Sequence, residues 1–399
     1  MKRISDTFIG RNADIKQHIL ALCAKDGEFS IADLSKACNI SIPTITKILN
    51  ELHDAGMIEE RGKFSSAGGR KPSIFGLNPE AGYFVGIDVF RDSISLAVMD
   101  FAGKVIETRA DIPFVFEGSR NSCNAISRVI REHLLESGIE LRKVRCYGFA
   151  LPGRVNHVTG FSFSFFIDDH TPISKVLEEE LNAPVTVEND SRAMTFGEYV
   201  AGVGEGEQHV LFMNVGWGLG MGVIIEGKVL YGKSGFSGEF GHFPILDNDR
   251  ICRCGKRGCL ETGASGSALY RIVEGKLKEG RSSMLSEKYN SGKEITLEDI
   301  FVAIESEDVL AIEAIEEVGS TLGKGLAGLI NVFNPELVVI GGILGRAKDY
   351  LYMPIMGSIN KYSLKLVSKD TTVKFSKLGT MTGGIGACML AQARYFEME

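Results

Sequence analysis

Between Gly241 and Glu261 the chain places one imidazole and three thiols, His242, Cys252, Cys254 and Cys259, within eighteen positions. Zinc takes four nitrogen or sulfur ligands in a tetrahedron, and a set supplied wholly by protein makes a closed, structural site. Gly255 and Gly258 let the chain turn sharply enough to bring three sulfurs to one ion. Free cysteine is usually a buried, apolar-surrounded residue, whereas these three are separated by glycine, lysine and arginine. The ligand set therefore points to a structural Zn2+. Glu239, three residues before the histidine, and Glu261, two after the last cysteine, flank the knot with carboxylates. A stiffened loop edged by polar side chains is a loop built to hold something.

The other five cysteines (Cys23, Cys38, Cys123, Cys146 and Cys388) are scattered, so no disulfide framework is visible. With no secretory signal pattern at the start, a reducing cytoplasm is expected. No uninterrupted apolar run is long enough to cross a bilayer, so no membrane partner is expected. The chain has 399 residues, enough for two or three domains, and its 44% hydrophobic content supplies an ordinary globular core. Its formal charge of −7 is uneven: residues 1–76 carry a net +2 and the remainder −9. An acidic body with a slightly basic N-terminal piece suits a phosphate-bearing partner at one end.

The elements that position these groups follow from periodicity. Ile15, Ile19, Leu20 and Leu22 recur at helical spacing over residues 12–24. Ser30 can cap a second helix ending near Asn39, and Ser41 a third, with Pro43 in its opening turn. Ile45, Ile48, Leu49 and Leu52 form the buried stripe of the third helix, leaving Thr44, Thr46, Lys47 and Asn50 on other faces. Residues 57–64 and 73–77 read as two strands around a glycine-rich loop. Two short helices and a hairpin make a winged helix-turn-helix over residues 1–77, expected to bind double-stranded operator DNA. Ser41, Thr44, Thr46, Lys47 and Asn50 would face the major groove, and Arg70 and Lys71 at the wing tip would meet phosphates or the minor groove. Asn78-Pro79 marks the boundary.

Beyond it, strands at 83–89, 93–100, 105–108, 146–150, 185–187, 210–214 and 337–340 alternate with helical runs, and glycine-rich turns stand where strands end. The string Gly216, Gly218, Gly220, Gly222 follows the strand at 210–214 in this way. That is α/β architecture, with ligands expected at the carboxyl ends of strands.

The segment from Glu239 to Glu261, with Asn189-Asp190 upstream, resembles the ROK family of repressors, open reading frames and sugar kinases. The likeness covers nearly the whole chain, because the repressor branch, with its xylose- and N-acetylglucosamine-type regulators, carries a winged helix before a kinase-like body. It implies a two-lobed actin-like ATPase (ribonuclease H-like) body over residues 78–399. Lobe one would span about 78–188 plus a C-terminal helix at 384–399, and lobe two about 189–383, containing the zinc loop at 241–261. It further implies a sugar in the cleft, held by Asn189, Asp190, Glu239, His242 and Glu261, and a homodimer or homotetramer. Chemistry agrees: carboxylates and amides bind neighbouring sugar hydroxyls, and a zinc-bound imidazole keeps its second nitrogen free to donate.

In the family's kinases Asp190 would be the general base, and positioning of nucleotide and metal does the rest. Those parts depart here. The first phosphate loop of the kinases, Asp-x-Gly-Gly-Thr, is replaced by Asp88-Val89-Phe90-Arg91-Asp92. The second, Gly-Thr-Gly, becomes Gly216-Trp217-Gly218, and the adenosine-side Gly-Gly-Gly becomes Gly341-Gly342-Ile343. The sugar side is kept and the nucleotide side is not. The expectation is a repressor that senses a sugar or sugar phosphate and is not an enzyme; the alternative is a sugar kinase with a regulatory DNA-binding arm. The loop Gly160-Phe161-Ser162-Phe163-Ser164-Phe165-Phe166 departs from the asparagine-containing segment of the kinases, which leaves the identity of the sugar open.

Overall fold

The structure, a computed structural model, describes residues 12–63, 73–164, 166 and 170–398. The chain divides into two compact units, residues 1–193 with 383–399, and residues 194–382.

In the first unit, α1 (Ala13–Asp26) buries Ile19, Leu20 and Cys23 and stops at Gly27, whose φ of 88° is left-handed. Strand β1 (Phe29–Ser30) leads into α2 (Ile31–Cys38) through a reciprocal capping box, with Asp33 N–H donating to Ser30 Oγ and Ser30 N–H to Asp33 Oδ2. The third helix, α3 (Ile42–Asp54), buries Ile45, Ile48, Leu49 and Leu52. Its start differs from expectation. Ser41 sits at the cap position, but its hydroxyl lies 2.9 Å from the Thr44 hydroxyl and caps no backbone N–H; the two hydroxyls satisfy each other. Strands β2 (Ile58–Lys63) and β3 (Ser73–Leu77) form the wing, in an antiparallel sheet of order β1-β3-β2. Arg70 and Lys71 lie outside the described residues.

A five-residue joint leads from β3 into the body. Asn78 donates from its backbone to Met57 O (3.0 Å) and from its side chain to Gly56 O (2.8 Å). On the other side Phe101 N–H donates to Pro79 O (3.3 Å) and Arg145 Nε to Ala81 O (3.0 Å).

The body sheet of this unit runs β10-β7-β4-β5-β6. Its strands are β4 (Tyr83–Val89), β5 (Ser93–Asp100), β6 (Val105–Pro113), β7 (Val144–Leu151) and β10 (Val185–Asn189); β8 (Val155–Asn156) and β9 (Phe161–Ser162) pair separately. Period-two alternation assigns the faces. Val85, Ile87, Tyr147 and Phe149 pack on α4 (Arg120–Glu136) and α5 (Ile173–Leu181). Phe84, Gly86 and Asp88 face the C-terminal helix (Thr382–Phe396). A Cβ on Gly86 would stand 1.9 Å from Gly384 O, and one on Gly148 2.2 Å from Ala387 O, so glycine at both positions lets that helix lie directly on the sheet.

Helix α6 (Asp190–Ala201) leaves β10 and runs into the second unit, whose sheet is β13-β12-β11-β14-β15. These strands are β11 (Val210–Val215), β12 (Leu219–Ile225), β13 (Lys228–Val229), β14 (Leu337–Gly341) and β15 (Thr372–Phe375). One face packs Val210, Phe212 and Val339 against Met194 of α6. The other packs Leu211, Met213 and Val215 against α7 (Gly266–Lys278), α9 (Leu297–Glu305), α10 (Val309–Phe333) and α11 (Lys348–Tyr362); short α8 (Ser286–Asn290) lies between α7 and α9, and α12 (Lys365–Ser368) between α11 and β15. Here the expected glycine turn is corrected: Gly220 and Gly222 lie inside β12, opposite Asn214 and Phe212. Glycine there is extended backbone in a ladder, and the turn itself is confined to residues 216–218.

Candidate functional site

Parallel pairing brings strand ends together in the first unit. Asp88 is in register with Ala150, and Asn189 with Leu151, so Asp88 and Asn189-Asp190 stand at the carboxyl edge where α/β sheets place ligands. Asp190 begins α6, and its Oδ1 accepts from Ser191 N–H (2.7 Å) and from Asn189 Nδ2 (2.7 Å). Asn189 Nδ2 also donates to Gly153 O (2.9 Å), and its Oδ1 accepts from Arg192 N–H (3.1 Å). Burial raises the Asp190 carboxyl to about 6, against the hydrogen bonds and the Arg192 charge that lower it. Asp88 is buried, and neither of its carboxylate oxygens meets a hydrogen-bond partner in good geometry among the described residues. Burial first, and then the charge of Asp190, pushes its carboxyl well above the usual range.

Beneath this edge lies a group that sequence reasoning missed. Glu188, buried, accepts from Arg192 Nε (2.7 Å), from Arg394 (2.6 Å) and from Asn189 N–H (2.8 Å). Burial alone would raise its carboxyl, but Arg394 and Arg192 more than offset that and hold it below its ordinary value. Nearby His157 is taken down to about 4 by burial. The i,i+4 spacing of Glu188 and Arg192 is a local signal; Arg394, 206 residues away, leaves none.

In the second unit, His242, Cys252, Cys254 and Cys259 present ligand atoms all within 4.8 Å of one another, and these four can hold a metal ion. Gly255 (φ 82°) and Gly258 (φ 74°) adopt the left-handed backbone the loop needs. Cys252 N–H donates to Lys256 O and Gly255 N–H to Cys252 O, both at 2.8 Å, closing a tight knuckle. His242 turns Nδ1 towards Cys252 (3.5 Å) and Nε2 towards Glu239 Oε2 (3.8 Å). Glu261, buried, accepts from Leu219 N–H (3.0 Å) and lies 3.4 Å from Cys252 Sγ. Asn189 and Asp190 thus belong to the first unit, and Glu239, His242 and Glu261 to the second.

On the winged domain, Lys47 and Asn50 are exposed and Thr44 and Thr46 half-buried. The Thr46 hydroxyl donates to Ile42 O (2.9 Å), so the amide and ammonium are the groups most open to a partner.

A family model described as the ROK family matches residues 84–394, and one described as winged helix-turn-helix DNA-binding matches residues 13–59. The chain belongs to the ROK family. Among its ROK relatives, a glucokinase of Halalkalibacterium halodurans is 32% identical over 79% of this chain and 97% of its own length. The DNA-binding transcriptional repressor Mlc of Escherichia coli is 29% identical over 92% of this chain and 90% of its own length. A crystal structure of a ROK family transcriptional regulator, a homologue of the E. coli MLC protein, superposes with a TM-score of 0.78 at 28% identity. It covers 96% of this chain and 98% of the solved one. Repressors and kinases therefore both stand among the relatives, and the likeness to the solved regulator extends over the winged helix as well as the ROK body.

The departures from the ROK kinase loops have structural form. Phe90 N–H donates to Ser93 O, closing the β4–β5 turn on itself, and Arg91 and Asp92 are both exposed, 3.8 Å apart. Gly216 O and Trp217 O accept from Gly266 N–H (2.8 Å) and Ser267 N–H (3.0 Å) at the start of α7. That loop is spent on capping a helix. Among the described residues no helix is long and apolar enough to cross a membrane.

Proposed function

We propose that this chain is a sugar-responsive transcriptional repressor, reading double-stranded operator DNA with its winged helix and binding a sugar or sugar phosphate without turning it over. The observation that carries the reading is an asymmetry. Asn189, Asp190, Glu239, His242 and Glu261 all keep the ROK sugar-binding pattern, while the loops at 88–92, 216–218 and 341–343 depart from the glycines and hydroxyls that approach nucleotide phosphates. Backbone amides can approach a phosphate closely only where no side chain intervenes, and Phe90, Arg91 and Trp217 intervene. The repressor relative spans the winged helix as well as the body.

The metal suited to the loop is a structural Zn2+. A tetrahedron with bonds of about 2.1–2.3 Å has edges of about 3.4–3.8 Å, which the 3.5 Å His242–Cys252 and 3.6 Å Cys254–Cys259 separations match. When bound, the ion fixes the imidazole so that Nε2 serves Glu239 or a sugar hydroxyl. Lys47, Asn50, Thr44, Thr46 and Ser41 are the proposed groove contacts, with Arg70 and Lys71 added by the wing. A homodimer or homotetramer would set paired wings on a pseudo-palindromic operator, and eight unpaired cysteines suit a reducing cytoplasm. Sugar can shift operator affinity only by its own differential affinity for the two states.

The test is incubation of purified protein with ATP, magnesium and a hexose panel. No turnover is expected; turnover at ordinary kinase rates that disappears in Asp190→Asn would sink the repressor-only reading. One observation favours that second reading: a carboxyl at about 6 is suited to general base work near neutral pH.

A further inference from the structure

Within the second unit a cavity of about 400 Å³ opens beside the metal-type loop. Its walls carry Arg250, Arg253, Arg271, Trp217, Ser267 and Glu261. Three arginines and one glutamate line it, and the Glu261 carboxylate already accepts from Leu219 N–H (3.0 Å). Arg271, from α7, is steadied by donating to Thr262 O (2.7 Å). Burial, and then the like charge of Arg250, make its protonated form less comfortable than usual. Neither Arg250 nor Arg253 stands within 4.0 Å of a carboxylate among the described residues, while the nearby Asp249 is engaged by Arg257 (3.0 Å). Gathering like charges around one hollow costs free energy unless an anion enters it.

The helix start contributes little to that positive field. The first N–H groups of α7 already donate to Gly216 and Trp217 carbonyls, and the Ser267 hydroxyl lies 2.9 Å from that of Ser265. The arginines are the site. A planar guanidinium binds two phosphate oxygens at once, which suits a phosphate better than a lone carboxylate. Beside them the Trp217 indole is 38% exposed, backed by the Tyr270 ring at 6.2 Å between centroids. Gly218 keeps this side open: a Cβ there would stand 2.5 Å from Glu261 and 3.6 Å from Arg253. An indole face stacks on the C–H face of a sugar ring or on a base.

We propose that this cavity binds a ring-bearing phosphomonoester, its phosphate on Arg250, Arg253 and Arg271 and its ring on Trp217. The volume is of the size that holds a small metabolite, roughly 300–1,000 Å³. The site is built wholly from the second unit and does not require Asn189 or Asp190. It deepens the sugar-sensing reading by supplying a phosphate-specific contact, and it rests on that reading only for the idea that the ligand is an effector.

The experiment is calorimetric titration of the metal-loaded full chain with glucose 6-phosphate, AMP, inorganic phosphate and glucose. One of the two phosphomonoesters is expected to bind more tightly than inorganic phosphate, and which of them does so identifies a sugar or a nucleotide as the source. Arg250→Gln, and separately Arg253→Gln at unchanged metal content, should each weaken that binding by about tenfold or more. Trp217→Leu should bring the ester down to the affinity of inorganic phosphate. The proposal is overturned if neither ester binds at millimolar concentration, or if both arginine variants bind as the native chain does. Ester binding by a native chain that binds no neutral sugar would support this site and count against the sugar contacts at Asn189 and Asp190.

Discussion

Two regions carry the proposed sugar contacts, and they are built on opposite plans. Asn189 and Asp190 stand where a strand becomes a helix, over a buried carboxylate clasped by Arg192 and Arg394. The loop from His242 to Glu261 has no strand or helix longer than a 3₁₀ turn, and is held by left-handed glycines, isolated bridges and four ligand atoms. Regular structure with internal charge pairing positions the first; a metal-type cluster positions the second. The lesson is that the two should fail under different insults.

Chelation gives the largest expected contrast. Structural zinc sites in small peptides supply roughly 10–16 kcal/mol, so stripping metal should disorder the loop. It should abolish sugar binding and lower the melting temperature, yet leave operator affinity in the absence of sugar close to native. Calorimetry and a DNA titration on the metal-free chain check this, and unchanged sugar affinity would break the contrast. Next comes Glu188→Gln, which leaves two buried guanidiniums underpaired. Urea unfolding should show a loss of about 3–5 kcal/mol with metal content unaltered. Asp190→Asn is smaller in stability and larger in function. Losing a hydrogen bond to a charged group should weaken sugar binding about 10–100-fold, with melting near native.

Acidity separates the regions more gently. The Asp190 carboxyl sits at about 6 in the folded chain against an ordinary 3.8. Its protonated form therefore favours folding below about 4, and that contribution is lost as pH rises through about 6. Sugar bonds to the carboxylate run the other way, present above about 6 and lost as pH falls through it. Asp88 and Arg192, which face this group, remain in the Asp190→Asn chain, which should lose the step at about 6. The smallest effect is expected from Lys47→Ala. It should weaken operator binding at all sequences, reduce the salt slope by about one, and leave sugar binding alone.

Much of this was legible in the residues. The metal-type loop reads directly because its four ligands lie within eighteen positions, and the winged helix because apolar spacing and caps are local signals. Glu188–Arg394 was not legible, since its partners meet only when the C-terminal helix settles on the sheet. Strand β12 was misjudged because Gly220 and Gly222 resemble a turn until the facing Asn214 and Phe212 are known. The arginine-lined cavity was missed for a similar reason: Arg250 and Arg253 come from a loop and Arg271 from a helix, and nothing in their spacing joins them.

The short joint at residues 78–82 has a consequence for signalling. It is fastened on both sides, by Asn78 to the end of the helix-turn-helix and by Phe101 and Arg145 to the body sheet. A domain hung on a slack tether reports only that it is nearby, at an effective concentration set by tether length. A domain fastened at its root transmits angle. A small rotation of the strands that carry Asp88 and Asn189 would be handed to the reading helix as a change of pitch against the groove. On that view an insertion of even one or two residues here would leave both binding surfaces whole and put them out of phase.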